Sequence, residues 1–304
     1  MIIQNINPSC PLCNSNKVQK KILSHLFDYN AIEESWINGS SGFFFNYYIC
    51  DNCTLFYVKE YLSQDTLNYL YNKLDNNIGS NTEINHRSTQ DGYFNLINEY
   101  IINNNIVINK VLEFGPDLGF LSKLVYDYYD PTEYTVIEPN NKVHNTLRSK
   151  ICRIKIIDTF LNMDYIEDNS IDLIIMVHVA DHMFDFKDTL NILNRKLNVN
   201  GVLFILNHST DFHPIKLIMN KKWPPFCLYH PQLFNYKSLY YLFNNLLGLR
   251  NIKVEYTYNT FSLSDYINQF LKIFGITKSY VIDIPIKMKL GNIAFIGQKR
   301  VNNE

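Results

Sequence analysis

Beyond residue 108 this chain alternates short apolar runs with stretches whose apolar residues recur at helical spacing, which is how a sheet of parallel strands covered by helices is written in sequence. The runs span residues 111–114, 134–137, 154–157, 172–179 and 202–207; helical stretches at 118–129, 143–148 and 186–197 lie between them. A Pro- and aromatic-rich insertion follows the fifth run. The spacing then predicts a helix over 237–247 and two more strands, 252–258 and 292–298, separated by a further helical segment. The expected core unit is an α/β domain over 108–304.

The first hundred residues follow another pattern. Of six cysteines, four form two CxxC pairs, Cys10/Cys13 and Cys50/Cys53, while Cys152 and Cys227 stand alone in apolar surroundings. Each pair folds as a knuckle presenting two sulfurs, so two pairs predict one tetrahedral thiolate site for a structural Zn2+. Buried or disulfide-linked cysteines are the alternative. The chain between the pairs exceeds the ~15–20 residues of compact zinc ribbons, at little cost, because loop-closure entropy grows only logarithmically with length. A turn at 39–42 and a strand at 43–48 would deliver Cys50, which makes residues 1–61 a small zinc-binding module. Leu67, Leu70, Tyr71 and Leu74 behind an N-cap at Ser63, then Tyr93, Phe94, Ile97, Tyr100 and Ile101, predict two helices in a linker over 62–107.

Composition narrows the function. In 304 residues, 46% of them apolar, a net charge of −1 without a run of basic residues argues against nucleic acid as a partner. No stretch of about 18 apolar residues suggests a membrane span, and MIIQNINPSC has no signal-peptide pattern. A soluble, cytoplasmic protein acting on a small molecule is the expectation.

The sharpest motif is Glu113-Phe114-Gly115-Pro116-Asp117-Leu118-Gly119, placed where the first strand turns into its helix. Gly115 permits a tight turn, and Gly119 lets the helix pack closely. A nicotinamide-binding GxGxxG would need glycine where this chain has Asp117 and Phe120, and the Asp117 carboxylate would repel a pyrophosphate at the helix N-terminus. S-adenosylmethionine has no phosphate; it has an ammonium, a sulfonium and a ribose diol, which carboxylates suit. Glu113 can anchor its methionine end directly or through the loop. Glu138, followed by Pro139, is placed to accept the ribose hydroxyls, and Asp158 the adenine amino group with help from Thr159 and Phe160. Each acid alone reads equally well as a surface or loop residue; three at successive strand ends after a glycine turn favour a shared cofactor site.

At this point the chain resembles the class I methyltransferases, through VLEFGPDLG, TVIEPN, IIDTF, DLIIMVHVADHMFD and LNILNRKLNVNGVLFILN, with the closing strand pair that distinguishes them from dehydrogenases. The resemblance implies a Rossmann-like sheet and S-adenosylmethionine as methyl donor. This chain has Asp117 where a middle glycine is frequent, Asp181-His182 in place of Glu-His, and Asn200-Gly201 in place of Pro-Gly. The N-terminal part, with CDNCTLFYV, is similar to the zinc-binding region of sugar C-methyltransferases, although Thr54 stands where glycine usually follows the second pair. That similarity implies a sugar or a glycan or natural-product precursor as acceptor. Those enzymes carry a Tyr-His-Glu-His-like stretch in the insertion; here it reads Tyr229-His230-Pro231-Gln232, which leaves O- or N-methylation open.

Methyl transfer from a sulfonium is an in-line displacement, so alignment is the main requirement and a base is needed only if the acceptor must lose a proton. His178 and His182 after the fourth strand, His208 after the fifth and His230 in the insertion are the base candidates, and His178 also borders the expected cofactor site. Each of them reads alternatively as a packed imidazole. Trp223, Phe226 and Tyr229 form either a stacking wall for an acceptor or part of the core. Two competing functions remain: a binding or scaffold protein that keeps the fold without turnover, and a nucleic-acid methyltransferase using the zinc module as a reader.

Overall fold

In the computed structural model, residues 3–22, 32–38, 45–71, 73, 83–158, 163–211, 219, 223–273, 275–276 and 278–300 are described. The turn expected at 39–42, Leu74, Thr159 and Phe160 lie outside the described residues. The N-terminal part contains β1 (Ile3–Asn5), β2 (Val18–Ile22), α1 (Ile32–Asn38), β3 (Tyr47–Cys50), β4 (Phe56–Val58) and β5 (Glu60–Leu62). β3 therefore begins later than the expected 43. Two helices follow, α2 (Gln64–Tyr71) and α3 (Glu83–Asn103). Ser63 caps α2 by accepting the Thr66 amide at 3.3 Å.

The remaining elements are β6 (Lys110–Phe114), α4 (Phe120–Tyr129), β7 (Glu133–Ile137), α5 (His144–Lys150), β8 (Ile154–Ile157), β9 (Ile171–Val177), α6 (Phe186–Lys196), β10 (Leu197–His208), β11 (Gln232–Leu233), α7 (Tyr236–Tyr240), β12 (Arg250–Ser262), α8 (Leu263–Ile273) and β13 (Pro285–Gln298). They build a seven-stranded sheet in the order β12-β13-β10-β9-β6-β7-β8. β13 pairs antiparallel with both β10 and β12, and the pairings from β10 through β8 are parallel. Chain order reverses between β6 and β9, which makes their C-terminal ends the switch point where such sheets bind ligands.

Alternation assigns each strand residue to a face. Leu112, Phe114, Ile174, Met176, Leu203, Ile205, Ile293 and Phe295 pack on one side with Phe186, Leu190 and Leu193 of α6 and Phe243. Val111, Tyr134, Val136, Leu173, Ile175, Phe204 and Ile296 pack on the other with Tyr93, Ile97 and Tyr100 of α3 and with α4 and α5. Cys10, Leu12, Cys50, Cys53, Leu55 and Tyr57 belong to the first of these cores. The insertion reaches the same module: β11 pairs with β4 and completes a four-stranded sheet, β11-β4-β3-β2.

Backbone chemistry explains where expected boundaries moved. β9 stops at Val177 rather than 179 because His178 adopts φ +52°, and α4 starts at Phe120 because Gly119 sits at φ +70°. β10 begins five residues early, reaching its main register through an irregularity between Leu197 and Val202 that includes Asn200 at φ +67°. The helix expected over 237–247 is α7 followed by a π-helical segment, Tyr241–Leu246.

Candidate active site

The turn after β6 supplies the first wall of the site. Gly115 and Gly119 both have positive φ, and a Cβ on Gly119 would meet Leu147 Cδ2 of α5 at 2.6 Å. The close approach is thus to the neighbouring helix rather than to a strand. Asp117, at φ +52°, fills the frequent-glycine position in a conformation that Asp tolerates better than most residues. Its carboxylate lies 3.9 Å from His86 Nε2 of α3, and burial raises its pKa. Pro116 is buried between the two glycines.

The two acids at the ends of β6 and β7 sit inside the protein. Glu113 is 3% exposed and accepts a 2.6 Å hydrogen bond from the Tyr134 hydroxyl; burial pushes its carboxyl up to about 7 against the hydroxyls of Ser122 and Tyr134. The Glu113 carboxylate is thus turned toward Tyr134. Glu138 is 7% exposed, accepts the Asn140 amide at 2.8 Å through Oε1, and is likewise raised to about 7 by burial. Asp117 and Glu113 both contribute repulsion at Glu138, so the three acids form one electrostatic group. Pro139 beside it is exposed, as is Asp158 after β8.

His178 and His182 flank Asp181 in sequence, and the distant His208 and His230 join them around it in space. His178 and His208 stack with ring centroids 4.3 Å apart. His182 and His230 meet edge-on, with their Nε2 atoms 3.0 Å apart. Asp181 is fully buried, its carboxylate oxygens 4.0 Å from His182 Nε2 and 3.9 Å from His230 Nε2. Burial pushes Asp181 up to about 6 and His230 down to about 4; burial and the neighbouring imidazoles hold His178 and His182 well below the usual range. Asn292 of β13 links His178 to His208, facing His208 Nδ1 at 2.9 Å and His178 Nε2 at 3.3 Å.

Sequence reasoning singled out the histidines and missed Asp181, Asn292 and His86 as site residues. Asp181 carried a signal, since it occupies the acidic position of the Glu-His motif; Asn292 and His86 carried none. Of the insertion's aromatic residues Trp223 and Phe226 are core, while Tyr229 is half-buried with its ring stacked 6.0 Å from His182. Trp223 and Phe226 are 4% and 9% exposed, and with Leu228 they pack against Trp36, Tyr47 and Tyr61 of the N-terminal part.

At the N-terminus, Cys10 Sγ lies 3.5 Å from Cys53 Sγ and Cys13 Sγ lies 3.5 Å from Cys50 Sγ. All four sulfurs fall within 4.8 Å of one another. Zn–S bonds of about 2.3 Å place tetrahedral sulfurs ~3.8 Å apart, so the donor set fits such an ion. The knuckles share one backbone: the Asn14 and Thr54 amides donate to the Cys10 and Cys50 carbonyls at 2.8 and 2.9 Å, and both residues have positive φ. Of the remaining cysteines, Cys152 is exposed and Cys227 Sγ lies 3.3 Å from His230 Nδ1.

The model of the methyltransferase domain family matches residues 60–254. No curated protein matches the chain. Similar solved structures include an S-adenosylmethionine-dependent methyltransferase from Archaeoglobus fulgidus, at 14% identity and TM-score 0.44 over 68% of this chain and 94% of that one. One from Thermotoga maritima has 16% identity and TM-score 0.47 over 71% and 92% of the two chains. Another, from Leishmania major, has 13% identity and TM-score 0.47 over 70% and 73%. The family match covers more than half of the chain, from β5 into β12, and contains the glycine turn and the switch point; the chain belongs to the methyltransferase domain family, as a class I enzyme dependent on S-adenosylmethionine.

Proposed function

We propose that the chain methylates a small-molecule acceptor, a sugar or a glycan or natural-product precursor, at oxygen or nitrogen. The observation that carries this reading is the convergence of Asp181, His178, His182, His208 and His230 beside the glycine turn, at the C-terminal ends of β9 and β10. S-adenosylmethionine supplies an electrophilic methyl group whose C–S bonding pair returns to sulfur as the acceptor's lone pair forms the new bond. The protein's share is alignment, and acceptance of a proton where the acceptor is a hydroxyl, or an ammonium that must become an amine before it attacks. Burial keeps the imidazoles of this cluster neutral, so each has a lone pair free to accept a hydrogen bond from the acceptor, and the same burial makes them weaker bases than free imidazole.

For the donor, the residues present fit: Glu138 would accept the ribose hydroxyls, the loop of Gly115, Pro116, Asp117 and Gly119 would border the methionine end, and Asp158 the adenine. Glu138→Ala should weaken S-adenosylmethionine binding about 10- to 100-fold, the worth of hydrogen bonds to a charged group, in a protein that still unfolds cooperatively. Unaltered affinity in calorimetry would sink this assignment. The acceptor class is tested by following label from methyl-labelled donor into candidate sugars and small hydroxylated or amino compounds. In the N-terminal module, Cys10, Cys13, Cys50 and Cys53 would hold a structural zinc ion with no open coordination position.

A further inference from the structure

We propose that Asp181, His182 and His230 form a second metal site, for one divalent transition ion, on the acceptor side of the pocket. This rests on the reading that the histidine cluster faces the acceptor.

The donor atoms already converge. His182 and His230 bring Nε2 to within 3.0 Å of Nε2, and the Asp181 oxygens lie 4.0 and 3.9 Å from these atoms. Bonds of about 2.0–2.2 Å from one ion to nitrogen and oxygen hold such atoms ~3.0–3.6 Å apart, so small side-chain movements complete the set. The tautomer of His230 is fixed by its surroundings: Nδ1 lies 2.7 Å from the Pro225 carbonyl, which can only accept, so Nδ1 carries the proton and Nε2 presents a lone pair. Asp181 is supported in the same way. The His208 amide donates to Oδ2 at 3.5 Å, and Asn207, with its amide oriented to donate, reaches Oδ1 at 3.2 Å.

Charge gives an independent argument. Asp181 is 0% exposed, and among the described residues no lysine or arginine pairs with it. A buried carboxylate without a cation is costly, and a divalent ion between it and two neutral imidazoles removes that cost. His178 and His208 are the weaker pair of ligands, because their rings stack at 29° and Asn292 bridges them, whereas His182 and His230 cross at 74° with their Nε2 atoms 3.0 Å apart. Two imidazoles and one carboxylate select ions such as Zn2+, Fe2+ or Co2+ over Mg2+ and Ca2+. Three protein donors leave a position open for the acceptor. An acceptor hydroxyl bound there keeps its electron pair for the ion and releases its proton to water at lower pH than it would in solution.

The test uses the full chain with its cysteine site loaded with zinc, titrated with Co2+. Expected is one equivalent of cobalt with visible d–d bands and no sulfur charge-transfer bands, unaffected by excess Mg2+. Affinity should fall about tenfold or more in His182→Gln, His230→Gln and Asp181→Asn. Absence of cobalt uptake, or equal uptake by all three variants, overturns the site; if a variant fails to fold, the wild-type spectrum still decides. S-adenosylmethionine binding to the wild type is measured separately. Loss of cobalt uptake with donor binding intact sinks only the metal site, whereas absent donor binding sinks the methyltransferase reading alone.

Discussion

Thr54 shows what a single residue can and cannot declare in sequence. It ends the second knuckle at φ +61°, a region that β-branched residues rarely enter and glycine enters freely. The compensation comes from 181 positions away: its hydroxyl donates to Asn235 Oδ1 at 2.9 Å, and Asn235 Nδ2 donates back to the Thr54 carbonyl at 2.8 Å. Thr54→Gly relieves strain and loses one hydrogen bond, so stability should change by less than about 1 kcal/mol; Thr54→Val keeps the strain, loses the bond, and should cost ~1–2 kcal/mol in urea unfolding. Glu138 and Glu113 allow a pH prediction of the same grain. Both carboxyls are raised from 4.5 to about 7 by burial, so between these values the unfolded chain has released protons that the folded chain retains. Measured against Glu138→Gln, which has the same buried histidines and hence the same opposing slope from their depressed imidazoles, stability of the donor-free protein should therefore fall as pH rises from about 4.5 to about 7. Donor binding, which needs Glu138 ionised, should strengthen over the upper part of that window. Melting curves and calorimetry at pH 5.5, 6.5 and 7.5 check the two opposed slopes.

At the scale of elements, the N-terminal strands act as a frame for the insertion that bears His230. The Tyr47 hydroxyl donates to the His230 carbonyl at 2.6 Å, Tyr61 donates to the Leu228 carbonyl at 2.7 Å, and the Val58 amide donates to the Pro231 carbonyl at 2.9 Å. Tyr47→Phe leaves a buried carbonyl unpaired at an expected cost of ~1–3 kcal/mol, and by loosening the His230 segment it should slow methyl transfer while donor affinity stays unchanged. Equal losses in both would show that Tyr47 supports the whole domain instead. α7 begins with a capping box between Asn235 and Ser238, so Asn235→Ala removes a helix cap, worth ~1 kcal/mol, together with both bonds to Thr54. The segments 154–157 and 186–197 were read almost to the residue because alternation and helical period are local. β11 was not foreseen, since two residues carry no period and pair only because the module's β4 lies alongside.

For the whole molecule, the cysteine knuckles and the catalytic sheet share one core, so the ion proposed for the former bears on the latter. Removing it with a strong chelator should lower the melting temperature by several degrees and abolish methyl transfer, because the frame around His230 loosens. Donor binding, proposed at the β6–α4 turn, should survive better, because that turn is built from β6 and α4 and not from the insertion. Elemental analysis showing no zinc in purified protein would remove the basis for this expectation. No helix among the described residues is long and apolar enough to cross a membrane.

By itself the sequence determined what depends on neighbours along the chain: the strand and helix order, the glycine turn, the paired CxxC knuckles and the acids at strand ends, each written in period, spacing or residue type. Only the tertiary structure decided that His208 and His230 join His178 and His182 around one buried aspartate, that Trp223 and Phe226 are core, and that Asn235 answers the strain at Thr54. Those are contacts across long separations, set by how the sheet's C-terminal edge and the N-terminal strands pack together, and no local pattern encodes them.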